Sequence, residues 1–193
     1  MKVNKSADVL LVVDFQNDFI TGSLSVPGAE DLIPVINKYI KMFEKIIASR
    51  DNHKKDHPSF VTHGGPWPEH CVEDTFGAKI HAGIQIPEGI IVPIIDKGYN
   101  EEAFSAFERT DLAFLLDSMS SKMSARRLFV CGLATDYCVK ATVLDALKLF
   151  NGEVFVLLDA VRAVSINKGD DIKAIREMVD AGAVFINSSG LED

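Results

Sequence analysis

The sequence predicts an α/β fold of three layers, in which helices cover both faces of a mostly parallel, roughly six-stranded sheet. Short apolar runs rich in β-branched residues recur along the 193-residue chain, and they are continuous rather than alternating. Such runs are typical of strands that are buried on both faces. Most of them are separated by stretches of helical periodicity, and this alternation favours a parallel sheet. No repeat, low-complexity tract or linker divides residues 1–193, which are predicted to form a single domain.

The candidate strands are six apolar runs, at residues 9–13, 46–49, 90–95, 128–133, 154–158 and 183–186. The candidate helices are four segments with apolar residues three or four positions apart, at 30–44, 111–123, 138–150 and 170–181. The third of these helices stops at Asn151-Gly152, a pair that commonly ends helices. Residues 53–89 lack clear periodicity and contain all five histidines and the single tryptophan. A loop of this length inside a domain is usually functional.

The composition excludes several classes of partner. Twenty-eight acidic and 20 basic side chains give a net charge of −8, which argues against binding to nucleic acid or to an anionic membrane.

The apolar run Val9–Val13 is shorter than the ~7–15 residues of a signal peptide's apolar region. The three cysteines are an odd number and indicate a reducing compartment with at least one free thiol. We therefore expect an intracellular, cytoplasmic protein.

Chemically active residues follow four of the predicted strands. Asp14 follows the first, Asp51 and His53 follow the second, Lys97 follows the third, and Cys138 comes shortly after the fourth. Ligands of open α/β sheets bind beyond the carboxyl ends of the strands. The convergence of a carboxylate, a metal-binding pair, a lysine and a thiol at one edge predicts an active site there.

Cys138 is the candidate nucleophile because it opens a predicted helix. A helix N-terminus stabilises an anion and lowers the pKa of a thiol, and the N–H groups of the preceding turn could hold an oxyanion. The alternative is a small buried hydrophobic residue, as most free cysteines are. Cys131, inside a predicted strand, fits that alternative better, and Cys71, beside His70, fits either the core or the neighbourhood of the site.

Asp14 and Lys97 are candidate partners of the thiol. Asp14 could accept the thiol proton while Lys97 stabilises the charged forms, sharing the work that a histidine does in other cysteine enzymes. Taken singly, each has an ordinary alternative: Asp14 as a turn or cap residue, and Lys97 as a solvated charge.

Asp51 and His53 are a candidate metal-binding pair. Their period-two spacing at a strand end places both side chains on the same side. A third ligand would come from elsewhere, and His57, His63, His70 and His81 compete for that place. Such a mixed nitrogen and oxygen set suits Zn, Fe(II) or Mn. The alternative is an aspartate paired with a surface histidine.

Five segments together resemble the nicotinamidases of the isochorismatase-like cysteine hydrolase superfamily. The resemblance runs in order from about Val9 to about Gly182. The segments are LLVVDFQNDF (10–19), SRDNHKKDHPSF (49–60), GPWPEHC (65–71), DKGYNEEAFSAFE (96–108) and CGLATDYCVKATVLDA (131–146). An Asp-x-His pair followed by WP-x-HC separates nicotinamidases from most relatives.

The resemblance implies roles for particular residues. It implies a catalytic triad of Asp14, Lys97 and Cys138. It implies one divalent metal ion, Zn²⁺ ahead of Fe²⁺ or Mn²⁺, held by Asp51, His53 and His70, with His57 close to the metal without binding it. It also implies a cis peptide between Leu133 and Ala134, an oxyanion hole formed by the N–H groups of Ala134 and Cys138, and aromatic pocket walls from Phe19, Trp67 and Phe104. Phe104 departs slightly from the family pattern, since some members have tyrosine there.

The implied activity is hydrolysis of nicotinamide to nicotinate and ammonia through a cysteine thioester, in NAD salvage. Pyrazinamide is a plausible second substrate, and a homo-oligomer is compatible with the family. One rival keeps the fold and the nucleophile but acts on a different small amide or carbamoyl compound. Another rival is a metal-binding or thiol-sensing module without turnover, which the intact triad pattern disfavours.

Overall fold

All six strands lie parallel in one sheet. The computed structural model describes residues 1–98, 103–108, 111–119 and 126–192. The strands are β1 (Val9–Val13), β2 (Lys45–Asp51), β3 (Ile94–Lys97), β4 (Arg127–Leu133), β5 (Glu153–Arg162) and β6 (Val184–Ile186). Their order is β3-β2-β1-β4-β5-β6, and every neighbouring pair is parallel. The predicted fold class is confirmed.

Helices pack on both faces of the sheet because successive strand residues point to opposite sides. The helices are α1 (Asn17–Ile20), α2 (Leu32–Ile40), α3 (Asp111–Met119), α4 (Lys140–Leu149) and α5 (Asp170–Asp180). Leu10 and Val12 of β1 share one apolar core with α2, whereas Leu11 shares the other with α3, α4 and α5. Each residue of β1 is therefore buried, which explains its continuous apolar sequence.

The bounds of several predicted elements differ from the observed ones; β2 and β5, for example, are longer than the predicted strands at 46–49 and 154–158. The third strand is Ile94–Lys97 rather than 90–95, because Pro93 has no N–H and the ladder begins after it. The helix predicted at 30–44 is α2, preceded by a 3₁₀ turn at Ala29–Asp31. The helix predicted at 138–150 begins later, since a π-helical turn at Thr135–Val139 leads into α4. Residues 120–123 of the helix predicted at 111–123 lie outside the described residues.

The segment 53–89 is joined to the sheet by local pairing rather than by long elements. Isolated bridges pair His53 with Val72 and Gln16 with Ile80. Within the described part of the chain, no helix combines the length and the apolar character needed to cross a membrane.

Candidate active site

The candidate site lies where the strand order reverses, between β1 and β4. Asp14 directly follows β1, and the turn that carries Cys138 follows β4. The neighbouring strands β2 and β3 end in Asp51 and Lys97. This reversal is the usual ligand crevice of doubly wound sheets. The structure thus brings together the residues that the sequence predicts at four strand ends.

Lys97 is fully buried and contacts three of these residues. Its Nζ lies 2.6 Å from Asp51 Oδ1, 2.8 Å from Asp14 Oδ2 and 3.4 Å from Cys138 Sγ. The ammonium donates hydrogen bonds to Asp51 and Cys138, and its contact with Asp14 is an ion pair. Burial alone would lower the pKa of Lys97, but Asp14, Asp51 and the thiol raise it well above its usual value. Lys97 is therefore a permanent cation at the centre of the site.

Asp14 is fully buried and has the left-handed backbone conformation, with φ of 46°. Ser49 Oγ donates a hydrogen bond of 2.7 Å to Asp14 Oδ1. Burial raises the pKa of Asp14, and the charge of Asp51 raises it further, whereas Lys97 and Ser49 lower it. The raising effects are the larger, so the pKa of Asp14 lies above its usual value. A carboxylate with a raised pKa takes up a proton more readily, as a general base must.

The pKa of Asp51 is shifted in the opposite direction to that of Asp14. Burial alone would raise the pKa of Asp51, but Lys97 and the hydrogen bond with His53 hold it well below its usual range. Asp51 therefore stays ionised, whereas Asp14 is more easily protonated. Two carboxylates whose environments separate their pKa values can serve different chemical purposes.

Cys138 lies in the π-helical turn, two residues before α4, rather than at the first position of that helix. The Leu133–Ala134 peptide is cis, as the resemblance implies. The Ala134 carbonyl accepts hydrogen bonds from the N–H groups of Tyr137 and Val139, at 3.1 and 3.0 Å. These bonds hold the turn around the thiol.

The thiol itself differs from the sequence prediction. Burial raises the pKa of Cys138 well above its usual value, and Lys97 only partly opposes this effect. The predicted lowering of this pKa by a helix N-terminus is wrong for the resting thiol, because desolvation and the nearby carboxylates outweigh it.

Asp51, His53 and His70 form a buried group whose ligand atoms all lie within 4.8 Å of one another. His53 Nδ1 lies 2.9 Å from the Gly98 carbonyl, and His70 Nδ1 lies 2.7 Å from the Pro68 carbonyl. A carbonyl only accepts hydrogen bonds, so each Nδ1 carries the proton and each Nε2 is left to face a cation.

The protonation of the two histidines is consistent with that use. Burial lowers the pKa of His70 and favours its neutral, ligating form. Burial alone would lower the pKa of His53, but Asp51 raises it above its usual value. A cation at the site would displace that proton, as metal binding to histidine generally does. The donor set therefore fits a divalent ion.

His57 lies beside this group and is outside it. The ring centroids of His57 and His53 are 4.4 Å apart. The Ser59 N–H donates to His57 Nδ1 at 3.3 Å, and Ser59 Oγ lies 2.7 Å from the same atom. Because Nδ1 accepts, the neutral ring carries its proton on Nε2, unlike the rings of His53 and His70. Among the other candidates for the third ligand, His63 is exposed and His81 accepts a hydrogen bond from the Gly83 N–H.

The other two cysteines are structural. Cys131 is buried inside β4, where desolvation raises its pKa. Cys71 is also buried, and burial raises the pKa of its thiol well above the usual value. Its backbone accepts a hydrogen bond from the His53 N–H at 2.9 Å and donates one of 2.7 Å to Asp18 Oδ2. Cys71 thereby ties the segment after β2, which carries His53, to the loop that carries His70.

An apolar pocket opens onto the thiol and the metal-binding group. The volume inside it that is accessible to a water-sized molecule is about 50 Å³. Phe19, Trp67 and Phe104 all line it, as do Cys138 and His70. The three predicted aromatic residues thus share one cavity with the thiol.

Three residues of the site were not predicted from the sequence. Tyr137 lines the pocket, and its ring lies edge-on to Trp67 with centroids 5.2 Å apart. Ser49 bonds Asp14, and Gln16 bonds Asp51. A serine within an apolar strand is a signal that could have identified Ser49, since buried hydroxyls need partners.

The chain belongs to the isochorismatase domain family, whose model matches residues 8–189. It is similar to the nicotinamidase of Escherichia coli (strain K12), with 35% identity over 95% of this chain and 96% of that protein. The structure of PnC1 from L. infantum in complex with nicotinate has a TM-score of 0.88 and 40% identity, covering 100% of this chain and 98% of that one. The zinc complex of Pyrococcus horikoshii pyrazinamidase has a TM-score of 0.82 and 41% identity, covering 93% of this chain and 98% of that one.

Proposed function

We propose that this protein is an amidohydrolase that converts nicotinamide to nicotinate and ammonia, a reaction of NAD salvage. The observation that carries the proposal is the contact of Lys97 with Asp14 and Cys138 beside a pocket with aromatic walls. Nicotinamidase relatives that match almost the whole chain support the same activity. The proposal assigns the activity to a single domain, residues 1–193, since all six strands belong to one sheet.

The first half-reaction acylates the thiol. The pyridine ring lies among Phe19, Trp67 and Phe104. Asp14 takes the proton of Cys138 as the sulfur attacks the amide carbon, so that no free thiolate has to exist in the buried site. The negative charge that develops on the amide oxygen is held by the N–H groups of Ala134 and Cys138.

The second half-reaction releases the acid. Asp14 returns its proton to the departing ammonia, and the nicotinoyl group remains on Cys138 as a thioester. Asp14 then takes one proton from a water molecule that attacks the thioester carbon, and this proton passes to the sulfur as the C–S bond breaks. The second proton of the water stays on the product, which leaves as nicotinic acid and ionises to nicotinate. Lys97 stays protonated throughout and stabilises whichever of Asp14 and Cys138 is anionic. The raised pKa of Asp14 supports this repeated exchange of one proton.

Asp51, His53 and His70 would hold one divalent ion, for which we propose Zn²⁺. When bound, the ion supplies a Lewis-acid contact for the substrate. The zinc complex of a pyrazinamidase with 41% identity supports this choice. The lowered pKa of His70 favours the neutral imidazole that any divalent ion would need. The same relative supports pyrazinamide as a second substrate.

Ammonia release from nicotinamide tests the proposed activity. The Cys138→Ala variant should keep its metal and lose at least about a thousandfold of kcat, because the covalent intermediate cannot form. Cys131→Ala is the matched control, since it removes a buried thiol in β4 and should keep most of the activity. Appreciable turnover by Cys138→Ala would exclude the thioester mechanism, and an inactive parent protein would exclude nicotinamide as substrate.

The His70→Ala variant tests the metal centre separately. It should lose bound metal and raise KM for nicotinamide more than it lowers folding stability. The parent protein should contain stoichiometric metal, and a chelator should lower its activity. If neither held, the nicotinamidase hypothesis would be replaced by its rival, a hydrolase that acts on another small amide or carbamoyl compound.

A further inference from the structure

β1 ends before it reaches Asp51, so no residue of β1 pairs with the backbone of Asp51. β1 pairs with β2 as far as the Val12–Ala48 register, and the Asp14 N–H still donates to the Ser49 carbonyl. At Asp14 the chain turns away from the sheet, while β2 continues to Asp51. The N–H and carbonyl of Asp51 that face β1 therefore need partners from elsewhere.

The side chain of Gln16 supplies both partners. Its Nε2 donates to the Asp51 carbonyl at 2.7 Å, and its Oε1 accepts from the Asp51 N–H at 2.8 Å. Gln16 is completely buried. Its amide therefore reproduces the two hydrogen bonds that a further residue of β1 would have made.

Gln16 also reaches the loop that carries His70. The same Nε2 donates a second hydrogen bond, of 2.8 Å, to the carbonyl of Ala78. Both donors of the amide are then used, and its oxygen is occupied by the Asp51 N–H. One side chain thus fixes the strand end that carries two metal-binding residues relative to the loop that carries the third.

We propose that Gln16 is a positioning residue of the metal centre, which acts by holding the backbone of Asp51. The inference rests on the proposed metal site. The Asp51 carboxylate lies between Lys97 Nζ, at 2.6 Å, and His53 Nε2, at 3.6 Å. Because a metal site tolerates displacements of only about 0.5 Å, release of the Asp51 backbone should weaken binding of the ion. Loss of an outer-shell partner typically costs about 10–100-fold in metal affinity.

Asn17 offers a matched control on the next residue. It is also buried, and its Nδ2 donates to the Phe76 carbonyl of the same loop at 2.7 Å. In contrast to the bonds of Gln16, this side-chain bond does not involve Asp51. A substitution of Asn17 therefore removes an anchor of the loop without releasing Asp51, and so distinguishes the two effects.

The test is the zinc affinity of the metal-free protein, measured by competition with a chromogenic chelator. Gln16→Met keeps the size of the side chain and removes its hydrogen bonds; its Kd for zinc should rise by about 10–100-fold. Asn17→Leu should lower the thermal stability of the metal-free protein and change the zinc Kd by less than about threefold. A Gln16→Met Kd within twofold of the parent value, or an equal loss in Asn17→Leu, would overturn the proposal.

A second measurement does not require that a variant folds. In ¹⁵N–¹H spectra of the unmodified protein, zinc should shift the side-chain amide resonances of Gln16 more than those of Asn17. Equal or smaller shifts for Gln16 would count against the proposal. Because neither measurement uses nicotinamide, failure of the proposed hydrolase activity would be recognised separately.

Discussion

Replacing Lys97 by methionine removes the ammonium that Asp14 and Asp51 share. Both carboxylates lie within 2.8 Å of Lys97 Nζ, and all three groups are buried. Removing one partner of a buried ion pair costs roughly 3–5 kcal/mol. The free energy of unfolding of a typical domain is only about 5–15 kcal/mol. At an m value of about 2 kcal/mol/M, the urea midpoint of Lys97→Met should fall by about 1.5–2.5 M.

The pH dependence of this loss has a definite sign. In the parent protein, the lowered pKa of Asp51 gives stability that is present above the unfolded-state pKa and is lost as pH falls through the folded-state pKa. In Lys97→Met no ammonium opposes the burial of Asp14, so the folded-state pKa of Asp14, already raised in the parent protein, lies still further above its unfolded-state value. The folded variant then binds more protons than the unfolded chain, and its stability should rise as pH falls from 7 to 5.

Urea unfolding of the metal-free proteins, followed by circular dichroism at pH 7 and pH 5, measures both effects. Lys148→Met is the matched control, because Lys148 is 71% exposed and pairs with Asp145 one helical turn away. Its free energy of unfolding should change by less than about 0.5 kcal/mol. A Lys97→Met midpoint within about 0.5 M of the parent value, or one that falls further at pH 5, would refute the electrostatic account.

Two other substitutions test single contacts. Ser49→Ala removes a hydrogen bond that lowers the pKa of Asp14, so the acid limb of the kcat/KM profile should move to higher pH; an unmoved limb would show that another group controls it. Gly65→Ala places a Cβ 2.0 Å from the backbone carbonyl carbon of Ser59, so its Tm should fall by several degrees, whereas Gly190→Ala, with nothing within 4 Å, should match the parent Tm. Equal Tm values for the two glycine variants would contradict the steric argument.

The sheet and the strand-end residues could be predicted because both depend on local sequence. A continuous apolar run such as β1 has to be buried on both faces, and a parallel sheet places the residues after its strands at one edge. The strand at Ile94–Lys97 was predicted too early, because the apolar run continues across Pro93 while the hydrogen-bonded ladder does not.

The hydrogen-bond partners within the site could not be read from the sequence. The bond from Ser49 to Asp14 and the bonds from Gln16 to Asp51 each join residues 35 positions apart. The direction of the Cys138 pKa was also beyond local reasoning. A helix N-terminus is a local feature, whereas desolvation depends on every element that packs around the thiol.

The position of Lys97 at the edge of the sheet makes the chemistry of the thiol depend on strand register. β3 has four residues and, within the described part of the chain, pairs with β2 alone, so Asp51 and Lys97 are aligned by one short ladder. A slip of one residue would turn Lys97 to the opposite face of the sheet. Cys138 and Asp14 would then remain in place without their cation. Correct alignment of the outermost strand is therefore a condition for a reactive cysteine, and a misregistered chain would carry an inert one.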